Sequence, residues 1–123
     1  MNTLRLERDG HVGRLYLARP DKLNSFTIEM WDELRALGAE LVADPGDLRA
    51  LIVIGDGRAF SSGIDTTVFS GALADRAPEN GPTTHSDPTV DMIMRTQAAY
   101  SWLEAAPFAT IAAVRGYALG AGL

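Results

Sequence analysis

The chain has 123 residues, 46% of them apolar, which is enough for one small domain with a hydrophobic core. Its 11 basic and 16 acidic residues give a net charge of −5 without a basic run, which argues against nucleic-acid or membrane partners and favours a small molecule or another protein. The chain has no cysteine, which excludes disulfides and thiolate metal sites, and it shows no signal core or spanning segment, so we expect a soluble, cytoplasmic protein.

The first predicted elements are two strands, a helix and a third strand. Apolar and polar residues alternate on either side of Asp9-Gly10, which predicts a β-hairpin. A helix capped by Thr27 follows and ends at "DPG"; its apolar positions are Met30, Leu34, Leu37 and Leu41. The apolar run "LRALIVIGDG" predicts a strand covered on both faces, and this order predicts a right-handed crossover between parallel strands.

The second part of the chain begins with a polar segment, Gly71 to Pro88, whose proline and glycine content predicts a mobile surface loop. Helical spacing returns in "VDMIMRTQAAYSWLEAAP" and stops at Pro107. Its predicted apolar positions are Met92, Met94, Ala98, Tyr100 and Trp102. The run "ATIAAVRGYAL" then predicts another buried strand.

Small residues follow both of the long apolar strands, in "FSSGIDTTVF" and in "GYALGAGL". A backbone N–H can reach a ligand oxygen only where side chains do not crowd it, so these junctions are candidates for backbone contact with a ligand. Packing between a strand and a following helix explains "GYALGAGL" equally well when that segment is taken alone.

Three segments in this order, "LARPDKLNSF", "GRAFSSGID" and "ATIAAVRGYALGAG", resemble the crotonase superfamily of enoyl-CoA hydratases and isomerases. The resemblance extends over nearly the whole chain. It implies an α/β fold built as a spiral of ββα units, an acyl-CoA thioester substrate and an oxyanion hole of two backbone N–H groups. It implies no permanently bound cofactor, since coenzyme A is part of the substrate. The residues themselves indicate no metal, because neither histidine has an acidic or histidine partner at ligand spacing. Family members commonly form trimers and hexamers.

The resemblance also implies roles for particular residues. The oxyanion donors are the N–H groups of Ile64 and Ala121, in "SSGID" and "LGAGL". Where these residues stand the family usually has alanine and glycine, so we expect a narrower pocket near the thioester. Gly120 is the first residue of a predicted helix start, and the free N–H groups there stabilise the negative charge of a developing enolate. The residues expected along the CoA moiety and the acyl-CoA pocket are Lys22, Leu23, Ile64, Asp65, Thr66 and Thr67.

The given chain ends before the positions at which hydratases of the family carry their acid and base glutamates. By resemblance these positions follow Leu123. The sequence is therefore interpreted as the N-terminal part, residues 1–123, of a single crotonase-like domain without its C-terminal half. We expect an enzyme when the domain is intact and an inactive piece at this length.

Other side chains that could carry chemistry have simpler interpretations. No Gly-x-Ser-x-Gly elbow surrounds Ser61-Ser62, so a packing or turn role is favoured over a nucleophile. A cap of the next helix is favoured over an acid or base for Asp65. Solvated side chains are favoured for His11, His85 and Glu104, and core or interface positions for Trp31 and Trp102.

Three classes of function remain open from the sequence. The first is an acyl-CoA enzyme of hydratase or isomerase type, in which the oxyanion hole stabilises a thioester enolate. The second is a non-catalytic acyl-CoA-binding or interaction fragment that lacks the acid and base. The third is a serine peptidase of the Clp type, whose fold is similar, although no Ser-His-Asp arrangement supports it.

Overall fold

A computed structural model describes residues 1–68 and 88–122 of the chain. None of the helices in these two ranges is both long and apolar enough to cross a bilayer. The predicted loop from Gly71 to Pro88 lies outside the described residues, except for Pro88, which begins a helix. The elements are β1 (Leu4–Asp9), β2 (Val12–Leu17), α1 (Ile28–Ala43), β3 (Ala50–Gly55), α2 (Pro88–Ala105), β4 (Ala109–Ala113) and two short 3-10 helices, Pro20–Lys22 and Gly120–Gly122.

The four strands form one sheet in the order β1-β2-β3-β4. β1 and β2 are antiparallel and joined at Asp9↔Val12, which confirms the predicted hairpin. β2 pairs with β3 in parallel across α1, and β3 pairs with β4 in parallel across α2. The parallel pairing predicted from the strand–helix–strand order is therefore confirmed. It also places the ends of β2, β3 and β4 at the same edge of the sheet.

Helix α1 begins where its sequence predicts. The Oγ1 of Thr27 accepts a hydrogen bond from the Met30 N–H at 3.2 Å, and Glu29 lies in the first turn, where a negative charge is favourable. The helix ends at Ala43, directly before the Asp44-Pro45-Gly46 segment. All four predicted apolar positions are buried, together with two further residues of the helix: Met30, Trp31, Leu34, Leu37, Gly38 and Leu41.

The core lies between α1, α2 and one face of the sheet. Leu15 and Leu51 of the two central strands are completely buried there, in one cluster with the apolar face of α1. On the opposite face of β3, Ile52 and Ile54 are only partly buried. The burial on both faces that the continuous apolar run predicts is therefore incomplete in β3.

Two predictions of burial are wrong in detail. In α2 the buried side chains include Ala99 and Trp102, whereas Met94 and Ala98 from the predicted apolar set are exposed. β4 forms as a strand, but Ile111 is 52% exposed and the other β4 residues are also mostly exposed. The reason is that β4 is the last strand of the described sheet, so no further strand covers its outer side there.

Candidate functional site

The candidate site lies at the sheet edge where β2, β3 and β4 end. Three loops leave the strands at this edge, over residues 18–27, 56–65 and 114–119. In open sheets of parallel strands, ligands bind outside these carboxyl ends, since the loops that leave neighbouring strands meet there. The small residues noted in the sequence therefore lie where such a fold places its ligand.

The first loop is held in an unusual backbone conformation by Asn24. Leu23 and Asn24 both have positive φ, at 51° and 52°, in the left-handed region that asparagine tolerates better than most residues. The buried Asn24 amide donates to the carbonyl oxygens of Asp56 and Ala59 at 2.8 and 2.9 Å, and its Oδ1 accepts from the Arg19 N–H at 2.8 Å. The side chain of Asn24 thus ties the first loop to the second.

The second and third loops run side by side through backbone hydrogen bonds. The Ser61 N–H donates to Tyr117 O at 2.8 Å, and the Leu119 N–H donates to Ser61 O at 3.1 Å, which form a parallel bridge between Ser61 and Ala118. The small residues of the sequence segments "SSGI" and "LGAG" therefore meet in the structure, as the backbone-contact interpretation requires.

Close approach of these two loops requires a glycine at position 122. A Cβ placed on Gly122 would lie 2.6 Å from the Ser61 Cβ and 2.8 Å from its Oγ. The Ser61 hydroxyl is fully buried, donates to Asn24 O at 2.8 Å and accepts from the Gly63 N–H at 3.2 Å. Ser61 is thus a packing residue, which confirms the interpretation favoured over a nucleophile.

The direction of the Ile64 N–H follows from the peptide that contains it. The C=O of Gly63 and the N–H of Ile64 belong to one trans peptide and point in opposite directions. Gly63 O accepts from the Phe26 N–H at 2.7 Å, so the Ile64 N–H points away from Phe26. Gly63 has φ 105°, which favours glycine at that position.

The two predicted donors differ in what the backbone hydrogen bonds say of them. Among residues 1–68 and 88–122, the Ile64 N–H donates none of the backbone hydrogen bonds of the loops, turns and strand pairs. Ala121 lies in the 3-10 helix Gly120–Gly122, and the Cβ position of Gly120 is 3.9 Å from the Gly63 Cα. The Ile64 N–H and the Ala121 N–H therefore belong to segments that contact each other.

The predicted CoA-contacting residues lie on the first two loops. Lys22 is exposed in the 3-10 helix Pro20–Lys22, and the carbonyl of Leu23 accepts from the Ser62 N–H at 2.9 Å. The Ile64 side chain is 37% exposed, and Thr66 and Thr67 are exposed at the start of a helical turn. The structure thus brings Leu23 and Ser62 together, while contact of any of these residues with CoA stays a prediction.

Asp65 is the N-cap of the helical turn at 66–68. Its Oδ1 accepts from the Thr67 N–H at 2.9 Å and from the Thr67 hydroxyl at 2.6 Å. Its Oδ2 accepts from the Ser25 hydroxyl at 3.0 Å and pairs with the Arg19 guanidinium at 3.2 Å. The hydrogen bonds from Thr67, then those from Ser25 and Arg19, hold the pKa of Asp65 well below its ordinary value although burial opposes this.

An apolar cavity of about 200 Å³ adjoins the third loop. Its wall includes Ala118 and Gly122, apolar residues of all three loops, and residues of the sheet, α1 and α2. No charged residue from the described part of the chain lines it, and the Tyr100 hydroxyl in its wall accepts a hydrogen bond from the Trp31 indole at 2.8 Å. The cavity therefore suits a hydrocarbon group and not a charged one.

A family model described as "Enoyl-CoA hydratase/isomerase" matches residues 7–123. The chain belongs to this family. A relative from Mycobacterium bovis, named a probable enoyl-CoA hydratase, is 36% identical over 121 residues, which cover 98% of this chain and 41% of the relative. The mitochondrial Delta(3,5)-Delta(2,4)-dienoyl-CoA isomerase of Rattus norvegicus is 31% identical over 113 residues, which cover 92% of this chain and 34% of that protein.

The fold of the enoyl-CoA hydratase/isomerase family is also found by structural comparison. A structure from Thermobifida fusca in complex with acetoacetyl-CoA is 40% identical, with a TM-score of 0.76, and the match covers 98% of this chain and 46% of that one. The predicted crotonase-like α/β fold is thereby confirmed. The chain spans less than half the length of each of these three proteins.

The remaining predictions concern single side chains. Trp31 and Trp102 are buried in the core, and Glu104 is exposed, as predicted. The His11 Nδ1 lies 2.7 Å from Asp47 O, and His85 is outside the described residues. Within residues 1–68 and 88–122, no group of three or more histidine, cysteine, aspartate or glutamate residues is arranged to hold a metal ion.

Sequence reasoning missed three residues that shape the site: Arg19, Asn24 and Ser25. Their contacts join the first loop to residues 32 to 46 positions further along the chain, so no local pattern marks them. One available signal was the Asn24-Ser25 pair, two residues after the first 3-10 helix, since asparagine is enriched at positive φ.

Proposed function

We propose that this chain forms the ligand-binding half of an acyl-CoA enzyme of enoyl-CoA hydratase or isomerase type. The observation that carries the proposal is the contact between the "SSGI" and "LGAG" segments, which brings the Ile64 N–H, without a backbone acceptor among residues 1–68 and 88–122, close to the segment that holds the Ala121 N–H. Two such donors suit the oxygen of a thioester, whose charge increases when an enolate forms. Membership of the family and the acetoacetyl-CoA bound to a similar structure support the choice of substrate class.

In this mechanism the N–H groups of Ile64 and Ala121 bind the thioester carbonyl and stabilise its negative charge in the transition state. They are preorganised, because the loops that carry them are fixed by backbone bonds to Phe26 and Ser61. The exposed Lys22 and the backbone of Leu23 lie along coenzyme A, which belongs to the substrate. Proton transfer needs an acid or base. The pKa of Asp65 is lowered, so Asp65 is a poor base, and we assign this role to the glutamates that the family resemblance places after Leu123.

The test uses two substitutions of Ala121 in the protein at its full natural length. Ala121→Pro removes the N–H donor, whereas Ala121→Gly keeps it, so the pair isolates the hydrogen bond from the side chain. Loss of one donor to an oxyanion typically lowers kcat by about 100-fold to 1,000-fold, and we expect this for the proline variant with crotonyl-CoA. The glycine variant should stay close to wild type.

Circular dichroism and thermal melting check that the proline variant is folded, which is expected because proline is tolerated in a first helical turn. Full turnover by a folded Ala121→Pro variant would reject Ala121 as a donor. If the wild-type protein binds acyl-CoA without turnover, the alternative of a non-catalytic acyl-CoA-binding protein is supported instead. A cytoplasmic location and a trimeric or hexameric assembly stay predictions.

A further inference from the structure

An almost buried ion pair lies one residue beyond the proposed Ile64 donor. The side chains of Arg19 and Asp65 are 18% and 11% exposed, and the Arg19 Nη2 and the Asp65 Oδ2 are 3.2 Å apart. The Ser25 hydroxyl donates to the same Oδ2 at 3.0 Å, and the Arg19 guanidinium also donates to the Ser25 carbonyl and hydroxyl oxygens. The three side chains thus join the first loop to the second.

This cluster encloses the backbone bonds that orient the Ile64 peptide. Phe26 follows Ser25 in the chain, and its N–H donates to Gly63 O at 2.7 Å. The backbone N–H of Asp65 itself donates to Phe26 O at 2.9 Å. Because Gly63 O and the Ile64 N–H are opposite ends of one peptide, the first of these bonds sets the direction of the donor. The ion pair is next to both bonds in sequence and in space.

We propose that Arg19 and Asp65 are positioning residues that hold the Ile64 N–H in its direction toward the thioester oxygen. Neither side chain touches the reacting atoms in this assignment. Each acts through the Phe26–Gly63 hydrogen bond. The inference rests on the proposed function, because it concerns the donor that the proposed function assigns to Ile64.

The alternative role for Asp65 is that of a helix cap alone, and one substitution separates the two roles. Asparagine is as good an N-cap as aspartate, so Asp65→Asn keeps the cap on Thr67 but removes the charge that pairs with Arg19. The matched control is Asp56→Asn, which breaks another arginine–aspartate pair, with Arg5 at 2.7 Å, and keeps the backbone carbonyl that Asn24 contacts; the Asp56 carboxylate makes its hydrogen bonds to Arg5 of β1. Both variants are made in the protein at its full natural length.

The first readout is amide hydrogen exchange of Phe26, which needs no activity. If the ion pair holds the Phe26–Gly63 bond, exchange of the Phe26 amide becomes at least about tenfold faster in Asp65→Asn and stays unchanged in Asp56→Asn. An unchanged Phe26 amide in Asp65→Asn overturns the proposal. Hydrogen exchange can be measured even if the protein has no turnover. Absence of turnover would contradict the proposed function, whereas the exchange rate tests the ion pair.

The second readout is steady-state turnover of crotonyl-CoA. A misdirected donor weakens the transition state more than the bound substrate, so kcat of Asp65→Asn should fall by about 10-fold to 100-fold while KM changes by less than about twofold. Asp56→Asn should keep the wild-type kcat. Faster Phe26 exchange with an unchanged kcat also overturns the proposal, because the ion pair would then stabilise the loops without positioning the donor.

Discussion

At the scale of single residues, the site depends on polar side chains whose hydrogen bonds are nearly all made inside the protein. Four donors surround the carboxylate of Asp65, and the Asn24 amide makes three hydrogen bonds while buried. Buried polar groups are stable only when they are paired in this way, and an unpaired partner is costly. A substitution at Asp65 or Asn24 is therefore expected to destabilise the contact between the first two loops and not only the substituted side chain.

The lowered pKa of Asp65 predicts how stability depends on pH. A carboxyl whose pKa is lower in the folded state than in the unfolded state stabilises the fold above its ordinary pKa of 3.8, and this contribution is lost as the pH falls toward the folded value. At pH 7, Asp65→Asn should lower the free energy of unfolding by about 1–3 kcal/mol, since hydrogen bonds to a charged group are lost.

Urea unfolding at a series of pH values measures this difference between wild type and Asp65→Asn. It should be constant from pH 7 to pH 5 and become smaller below about pH 4, where the unfolded carboxyl takes up a proton. A difference that does not change down to pH 2 would show that the carboxylate charge contributes nothing to stability.

At the scale of elements, the packing of α1 against α2 depends on a glycine, because any side chain at that position would collide with α2. Gly38 of α1 faces the Trp102 ring of α2, and a Cβ at Gly38 would lie 2.3 Å from the Trp102 Cδ1. The ring fills this gap, which explains why Ala99 and Trp102 face the core while Met94 and Ala98 of the predicted stripe are exposed. Shape complementarity at one glycine thus selects the buried face of α2.

This contact predicts that Gly38→Ala is destabilising, although alanine is the better helix former. Overpacking against a buried ring costs about 1–3 kcal/mol, which exceeds the intrinsic gain of about 1 kcal/mol from replacing glycine in a helix. The reverse change at the exposed neighbour, Ala39→Gly, measures that propensity term alone.

Urea unfolding of both variants gives the comparison. A Gly38→Ala protein as stable as wild type, or more stable, would contradict the packing of Trp102 on Gly38.

At the scale of the whole molecule, the sheet formed by the described residues ends at β4, whose side chains there are mostly apolar and exposed. Ile111, Val114, Tyr117 and Leu119 are each more than half exposed, along or just after the last described strand. Exposed apolar side chains next to a strand edge favour association with another polypeptide, since the edge also offers free backbone hydrogen-bonding groups.

The 123-residue chain should therefore self-associate as its concentration rises. Ile111→Lys places a charge on the exposed strand and should weaken association by at least about tenfold in the dissociation constant. The control is Val42→Lys, which changes an exposed apolar side chain of α1 away from β4.

Sedimentation velocity at increasing concentration measures both variants beside wild type. Equal association of wild type and Ile111→Lys would show that β4 is not the contact surface.

The elements that the sequence predicted correctly are those whose signals are local. The hairpin at Asp9-Gly10 and the helix capped by Thr27 each depend on residues a few positions apart, so their hydrogen bonds and periodicity can be read directly from the chain. The small residues after β3 and β4 likewise marked the two segments whose backbones contact each other. The family resemblance then indicated which backbone N–H groups, those of Ile64 and Ala121, are candidates for the oxyanion hole.

Only the tertiary structure decided which distant residues meet. The Arg19–Asp65 pair joins positions 46 apart in the chain, and the contact of Ser61 with Gly122 exists because β3 and β4 are parallel neighbours whose loops leave at one edge. The buried face of α2 was decided in the same way, by a gap at Gly38. No local pattern encodes such contacts, because they depend on strand register and on the shape of a partner far along the chain.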